Sequence, residues 1–292
     1  MSISISDLVK VRTRHPEAIA EAAARRVRRP LIGDSGRLMI VAADHPARGA
    51  LAVGDREFAM ANRADLLERL CTALSRPGVD GVLGTADVLE DLLLLGALEG
   101  KVVMGSMNRG GLAGASFELD DRFTGHRAQD IARLGFDAGK LLLRISYEDS
   151  GSLTTMVSTA RAIDDMAERR LPVFVEPFMS RRAGSRVRND LSAPAVTTSI
   201  AIASGLGGTS AYTWLKVPVT ENVDDMAAVM ETSTLPAVLL GGEVGKDQDV
   251  LYDKWRKALQ LPTVQGLVVG RSLLYPAEGS VETAVDTAVG LL

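Results

Sequence analysis

Residues 138–176 read AGKLLLRISYEDSGSLTTMVSTARAIDDMAERRLPVFVE and contain one complete strand–helix–strand unit. A mostly apolar run at 141–145 predicts a strand that is buried on both faces, and 173–175 predicts a second one. Between them, residues 155–169 carry apolar side chains at helical spacing. The stretch therefore predicts two parallel strands joined by a helix.

The same unit repeats along the chain. Apolar runs predict eight strands, at residues 38–43, 79–83, 102–105, 141–145, 173–175, 213–217, 237–240 and 266–269. Helical patterns alternate with them, at residues 63–75, 88–98, 128–134, 155–169, 194–204, 223–230, 250–259 and 281–291.

Two architectures fit this alternation, an open doubly wound sheet and a closed (β/α)8 barrel. The open sheet usually has a glycine-rich phosphate loop after its first strand, and the first strand here ends in Ala-Ala-Asp-His-Pro instead. Eight repeats also match the closure number of the barrel. The sequence therefore predicts an α/β fold with a single (β/α)8 TIM barrel at residues 37–292.

Residues 1–36 precede the barrel and predict a helical extension. Its Ala-rich helix at 17–27 ends in a basic cluster of Arg25, Arg26, Arg28 and Arg29. Such a cluster suits either a nucleic-acid-binding arm or a plug at the amino-terminal end of the barrel, where cations stabilise a helix carboxyl terminus. The cluster has no interleaved aromatic residues, which favours the plug.

Composition excludes several classes of protein. The net charge of −4 argues against a polyanion-binding protein, and Cys71 alone forms no intramolecular disulfide framework. Three histidines leave little material for a zinc site, so we expect neither metal nor cofactor. No signal peptide or apolar run of roughly 18 residues is present. We expect a cytoplasmic protein that binds a small-molecule sugar phosphate and has no nucleic-acid or membrane partner; a homo-oligomer is compatible with the sequence.

Charged residues lie where a barrel keeps its chemistry, at the carboxyl ends of the predicted strands. Asp44 follows the first strand and Glu176 follows the fifth, and Lys140 accompanies the fourth together with Arg144. Lys216 lies within the otherwise apolar sixth strand. Because burying a charge is costly unless the charge is paired or used, packing alone does not explain this convergence.

Each of the four candidate catalytic residues has a structural alternative. Lys216 either forms a Schiff base, with Lys140 as the second cation that lowers its pKa, or has a structural role, in which it reaches the rim or pairs with a neighbouring acid. Glu176 is either a general acid/base or the salt-bridge partner of a lysine, and the two roles are compatible. Asp44 either orients a lysine or substrate hydroxyl groups, or caps a turn.

Glycine pairs follow the last two predicted strands. Gly241-Gly242 and Gly270-Arg271 predict a phosphate site made of backbone N–H groups and one guanidinium, although glycines are also common turn residues. After Glu176, a predicted loop carries Arg181 and Arg182, which either bind an anionic group at the far end of the substrate or form a solvated basic loop.

The order of these motifs over residues 37–275 resembles the class I, Schiff-base aldolases of the DeoC/LacD type. That group includes the tagatose-bisphosphate, sulfofructose-phosphate and archaeal-type fructose-bisphosphate aldolases. The resemblance is carried by AADHP (Asp44), AGKLLLR (Lys140), LPVFVEPF (Glu176), WLKVPVT (Lys216), LLGG and VVGR.

The resemblance implies a function. Lys216 would form an iminium ion with a phosphorylated ketose, and Glu176 would take the C4 hydroxyl proton as the C3–C4 bond breaks. Dihydroxyacetone phosphate and an aldehyde would be the products, with no metal required. Phe178 stands where the archaeal-type enzymes use a catalytic tyrosine, which transfers the acid/base role to Glu176 and argues against fructose 1,6-bisphosphate as the substrate.

Other functions remain open at the level of sequence. A different Schiff-base barrel reaction, such as deoxyribose-phosphate cleavage or thiolysis of a phosphorylated diketone, would use the same lysine. A non-catalytic sugar-phosphate-binding barrel would use the same pocket. A metal-dependent aldolase is disfavoured because the histidines are few and are not grouped.

Overall fold

The computed structural model describes residues 3–108, 111–184, 186–242 and 248–292. Nine strands within these ranges form one sheet, and eight of them are parallel. The strands are β1 Leu38–Ala42, β2 Gly81–Gly84, β3 Val102–Ser106, β4 Ala138–Ile145, β5 Val173–Ala183, β6 Arg186–Asn189, β7 Thr213–Val217, β8 Ala237–Leu240 and β9 Val264–Val269.

The parallel strands close into a barrel in the order β1-β2-β3-β4-β5-β7-β8-β9, since β9 pairs with β1 and β4 pairs with β5. The predicted (β/α)8 TIM barrel is confirmed. The described helices are α1 Leu8–Arg14, α2 Ala18–Arg25, α3 Arg63–Ser75, α4 Ala86–Leu94, α5 Ala128–Arg133, α6 Gly151–Glu168, α7 Ala193–Ser204, α8 Met226–Met230, α9 Gln248–Ala258, α10 Arg271–Leu274 and α11 Val281–Val289.

The strands carry side chains alternately into the barrel and towards the helices, which explains their continuous apolar runs. The interior is filled by a separate apolar cluster that includes Ile40, Met104, Phe174 and Val238. A larger cluster fills the space between the strands and the surrounding helices. The barrel is therefore packed below its carboxyl-terminal end, and polar chemistry is confined to that end, which we call the mouth.

The arginines that follow α2 contact the opposite end of the barrel. Arg26 donates to the backbone oxygens of Lys101 and Gly135 and pairs with Asp137 at 3.1 Å. Arg28 pairs with the same carboxylate, and Arg29 pairs with Asp80. These partners immediately precede β2, β3 and β4. The plug is therefore the segment after the helix, and Leu31 and Ile32 continue it against the interior cluster.

The structure corrects the predicted ends of two strands. β4 begins at Ala138, three residues before the predicted start, because the small residues before Leu141 are buried without forming an apolar run. β5 continues to Ala183 and pairs with β6 in an antiparallel hairpin, where the sequence predicted a loop. The exposed arginines of this hairpin give no hydrophobic signal. The division into residues 1–36 and 37–292 remains a prediction.

No helix within the described ranges is long and apolar enough to cross a membrane.

Candidate active site

Four charged side chains from different strands meet at the mouth. Lys140, Glu176 and Lys216 lie on β4, β5 and β7, and Asp44 follows β1. Lys140 and Glu176 stand two residues beyond Ala138 and Phe174, which belong to the interior cluster, so strand alternation turns them into the barrel. Glu176 and both lysines are at most 7% exposed. The structure therefore brings these four residues together at the mouth.

The four groups form a continuous chain of ion pairs. The Lys216 Nζ atom lies 2.5 Å from Glu176 Oε1, and the Lys140 Nζ atom lies 2.6 Å from Glu176 Oε2. Lys140 also donates to Asp44 Oδ2 at 3.0 Å. One carboxylate therefore bridges the two ammonium groups, and the second carboxylate contacts Lys140 and lies 3.8 Å from Nδ1 of His45.

This asymmetry separates the two lysines electrostatically. Burial lowers the pKa of Lys140, but the charges of Asp44 and Glu176 outweigh burial and raise the pKa above its ordinary value. Burial also lowers the pKa of Lys216, and the neighbouring Lys140 cation adds to this effect against the opposing charge of Glu176. The pKa of Lys216 is lowered as a result. Lys216 is therefore the lysine that more readily provides a neutral, nucleophilic amine.

The carboxylates are held in their ionised form. Burial raises the pKa of Glu176, but Lys140 and Lys216 outweigh it and lower the pKa to about 2. Burial likewise opposes ionisation of Asp44, and Lys140 together with His45 brings its pKa well below the ordinary value. Burial lowers the pKa of His45 to about 3, so this imidazole is neutral at physiological pH.

The two glycine turns lie next to each other after β8 and β9. Arg271 begins α10, and its Nη2 atom donates to the backbone oxygen of Gly242 at 3.3 Å. A Cβ atom on Gly270 would collide with the backbone oxygen of Ala42, and one on Gly241 would lie 2.6 Å from a Val269 methyl carbon. Close packing therefore requires glycine at both positions, whether or not a phosphate binds there.

The arginines of the β5–β6 hairpin are exposed, and Arg182 among them forms an ion pair and a hydrogen bond with other parts of the chain. Arg182 pairs with Asp149 at 2.9 Å and donates to the backbone oxygen of Ser116. Arg181 lies opposite Arg188 across the hairpin. Below them on β5, Phe178 packs with Leu142 and Leu240 in a small apolar cluster at the mouth. These three apolar side chains adjoin Glu176, which pairs with Leu142 in the β4–β5 register.

Comparison with known proteins assigns the chain to a family. A family model described as Cgl0159-like matches residues 36–289. The chain belongs to the Cgl0159-like family. The crystal structure of Cgl0159 from Corynebacterium glutamicum is 53% identical to it, with a TM-score of 0.94 over 98% of this chain and 95% of that chain. No curated protein matches the sequence.

Distant structural neighbours share the barrel of this Cgl0159-like chain. A Schiff-base-forming fructose-1,6-bisphosphate aldolase is 18% identical, with a TM-score of 0.64 over 94% of this chain and 99% of that chain. An archaeal fructose 1,6-bisphosphate aldolase is 17% identical, with a TM-score of 0.66 over 94% and 98%. These likenesses show an aldolase-like barrel fold. They do not establish membership of the DeoC/LacD group that the motifs resemble.

Sequence reasoning missed two charged residues at the mouth of this Cgl0159-like barrel. Glu118, in the β3–α5 connection, pairs with Arg144 of β4 at 2.5 Å and with Arg48 at 3.6 Å. Arg144 was recognisable because it lies four residues after Lys140 on β4, so both side chains face the same side of the strand. Arg48 and Glu118 lie in a short 3-10 turn and an irregular connection, where no periodic pattern marks a residue as inward-facing.

Within the described residues, no group of three or more His, Cys, Asp or Glu side chains could hold a metal ion.

Proposed function

We propose that this Cgl0159-like protein is a class I aldolase that cleaves a phosphorylated ketose through a Schiff base on Lys216. The observation that carries the proposal is the buried Lys216–Glu176–Lys140–Asp44 chain of ion pairs, with its single lysine of lowered pKa. The motif resemblance and the shared barrel of Schiff-base-forming aldolases support it.

Imine formation begins with proton transfer along the shortest contact. The Lys216 ammonium gives a proton to Glu176 Oε1, and the neutral amine attacks the ketone carbon of the substrate to form a carbinolamine. Glu176 returns its proton to the departing hydroxyl group, which leaves as water. The product is an iminium ion, and Glu176 is again a carboxylate.

Cleavage uses the same carboxylate as a base. Once Lys216 is part of the iminium ion, Oε1 of Glu176 has lost its ammonium partner and is available to the C4 hydroxyl group of the substrate. Glu176 takes that proton, the C3–C4 bond breaks, and the electron pair moves to the iminium nitrogen. The aldehyde leaves, and protonation at C3 followed by hydrolysis releases dihydroxyacetone phosphate and Lys216.

The remaining residues position these groups. Lys140 keeps its proton because it has two carboxylate partners, so it holds Glu176 Oε2 and Asp44 in place and lowers the pKa of Lys216. The adjacent turns at Gly241-Gly242 and Gly270-Arg271 would receive the phosphate. That Arg181 or Arg182 of the β5–β6 hairpin binds the far end of the substrate stays a prediction from the sequence.

Solvent exchange tests this proposal without knowledge of the aldehyde. Enamine formation on dihydroxyacetone phosphate should exchange a C3 proton for deuterium, and proton NMR should show the loss of that signal. We expect exchange with the wild-type protein in the presence of a chelator, and none with Lys216→Met. Exchange that is equal in the two proteins, or absent from both, would refute the proposal.

A further inference from the structure

Two arginines share one carboxylate oxygen beside the ion-pair chain. Arg144 Nη1 donates to Glu118 Oε1 at 2.5 Å, and Arg48 Nη2 lies 3.6 Å from the same atom. The other oxygen, Oε2, accepts from the backbone N–H group of Gly114 at 3.0 Å. Each oxygen of Glu118 therefore accepts one hydrogen bond, and among the described residues this carboxylate is the ion-pair partner of both guanidinium groups.

The two guanidinium groups retain unused donors. Within the part of the chain that the structure describes, the buried Nε atoms of Arg48 and Arg144 have no hydrogen-bond partner. Arg144 is only 6% exposed, and a buried donor without an acceptor is uncommon in a folded protein. The distance from Arg48 to Glu118 exceeds that of a hydrogen bond. Among the described residues, the ion pair with Glu118 is therefore the side-chain contact that holds the Arg48 guanidinium.

Electrostatics confirm that Arg48 is poorly compensated. Burial lowers the pKa of Arg48 to about 10, and the neighbouring Arg144 cation adds to this effect against the opposing charges of Glu118, Asp44 and Glu176. The influence of Asp44 and Glu176 also shows that Arg48 lies close to the ion-pair chain. A second anion at this position would restore the ordinary stability of the charged guanidinium.

The topology places Arg144 and Glu118 across the mouth from the glycine turns, whereas Arg48 lies in the 3-10 turn after β1, the strand next to β9, and extends from there to Glu118. In a ring of eight strands, each strand faces the one four places further along, so β8 faces β3 and β9 faces β4. The glycine turns follow β8 and β9, Arg144 lies near the end of β4, and Glu118 belongs to the connection after β3. Glu176 and Lys216, on β5 and β7, lie between the two groups.

We infer that Arg48 and Arg144 form a second anion site, which selects substrates that carry a carboxylate or phosphate at the end remote from the first phosphate. The inference rests on the proposed function for its orientation, and it assigns the far-end charge to this cluster instead of to the hairpin arginines. A guanidinium binds such groups with two parallel hydrogen bonds, and the side chain of Arg48 is 23% exposed and therefore accessible to a ligand. The mouth therefore selects a substrate that is anionic at both ends.

Binding of non-cleavable probes tests the inference by calorimetry. The probes are a hexitol 6-phosphate, a hexitol 1,6-bisphosphate and a hexonate 6-phosphate, which lack a ketone and form no imine. We expect the wild-type protein to bind the two doubly anionic probes at least tenfold more tightly than the monophosphate. Arg48→Gln should abolish this preference and leave the affinity for the monophosphate within about twofold.

Three further variants sharpen the comparison. Arg48→Lys should keep part of the preference, because it keeps the charge and loses the two-pronged geometry. Arg161→Gln, which removes a positive charge from an exposed position of α6, should change nothing. Equal wild-type affinities for all probes would overturn the inference, as would a preference retained by Arg48→Gln or one that only Arg182→Gln abolishes. Since dihydroxyacetone phosphate has no far end, the exchange test reports separately on the proposed function.

Discussion

Replacing Lys140 by methionine tests whether this lysine controls the reactivity of Lys216. The change keeps an unbranched side chain of similar length and removes one positive charge from the ion-pair chain. Both ammonium groups contact the oxygens of Glu176, at 2.5 and 2.6 Å. Two ammonium groups bonded to the two oxygens of one carboxylate lie about 5 Å apart, and at an effective dielectric constant of about 20 their repulsion is about 3 kcal/mol.

That repulsion destabilises the protonated form of Lys216. Its loss should raise the pKa of Lys216 by about two units, since one unit corresponds to about 1.4 kcal/mol. Imine formation requires the neutral amine, so its rate increases with pH through the pKa of Lys216. A higher pKa therefore moves the whole rate profile to higher pH by about two units.

The assay is the initial rate of borohydride-trapped imine with dihydroxyacetone phosphate, measured from pH 6 to pH 10. Lys140→Arg keeps the charge and should keep the wild-type midpoint. In the double variant Asp44→Asn, Lys140→Met, the carboxylate that would lose its lysine partner is also removed. Its pH midpoint should move in the same direction as that of Lys140→Met, by a smaller amount. A midpoint that stays at its wild-type pH in Lys140→Met, or moves to lower pH, would refute the electrostatic role of Lys140.

Three other predictions concern the base, the phosphate site and the barrel plug. Glu176→Gln should still give trapped imine, because loss of the carboxylate lowers the pKa of Lys216 and supplies the neutral amine without proton transfer to Glu176. The variant should lose about 10²–10⁴-fold in cleavage rate, and a near-normal rate of dihydroxyacetone phosphate release would eliminate Glu176 as the base. Arg271→Ala should weaken binding of hexitol 6-phosphate by at least tenfold in calorimetry, whereas an unchanged affinity would place the phosphate elsewhere. Arg26→Leu should lower the free energy of unfolding in urea by about 3–5 kcal/mol, because it leaves the Asp137 carboxylate buried. Arg28→Leu removes the half-exposed partner of that carboxylate and should cost at most about 1 kcal/mol; equal losses would contradict the burial argument.

Much of the fold follows from the sequence because a closed parallel barrel buries its strands on both faces. Each strand then reads as an apolar run, and the intervening helices supply their own periodicity. The pattern was misleading where burial does not require large apolar residues. Ala138 and Gly139 extend β4 without any hydrophobic signal, and the arginines of the β5–β6 hairpin form strands whose side chains face solvent.

The candidate site was predictable where its residues lie on strands. Lys216 is the one charged residue of the strand Thr213–Val217, so its charge must be compensated from another element. Strand alternation gave Lys140 and Glu176 the same inward direction. Arg48 and Glu118 were missed because they lie outside the strands, and only the folded chain brings them to Arg144.

The most direct test of the account is the identity of the lysine that is reduced with substrate. Borohydride added to the protein with dihydroxyacetone phosphate should attach the three-carbon phosphate to one residue, and mass spectrometry of the digested protein should locate it on the peptide that contains Lys216. The account predicts this adduct in the wild-type protein and in Glu176→Gln, and its absence from Lys216→Met. An adduct on Lys140, or no adduct under conditions in which dihydroxyacetone phosphate binds, would contradict it.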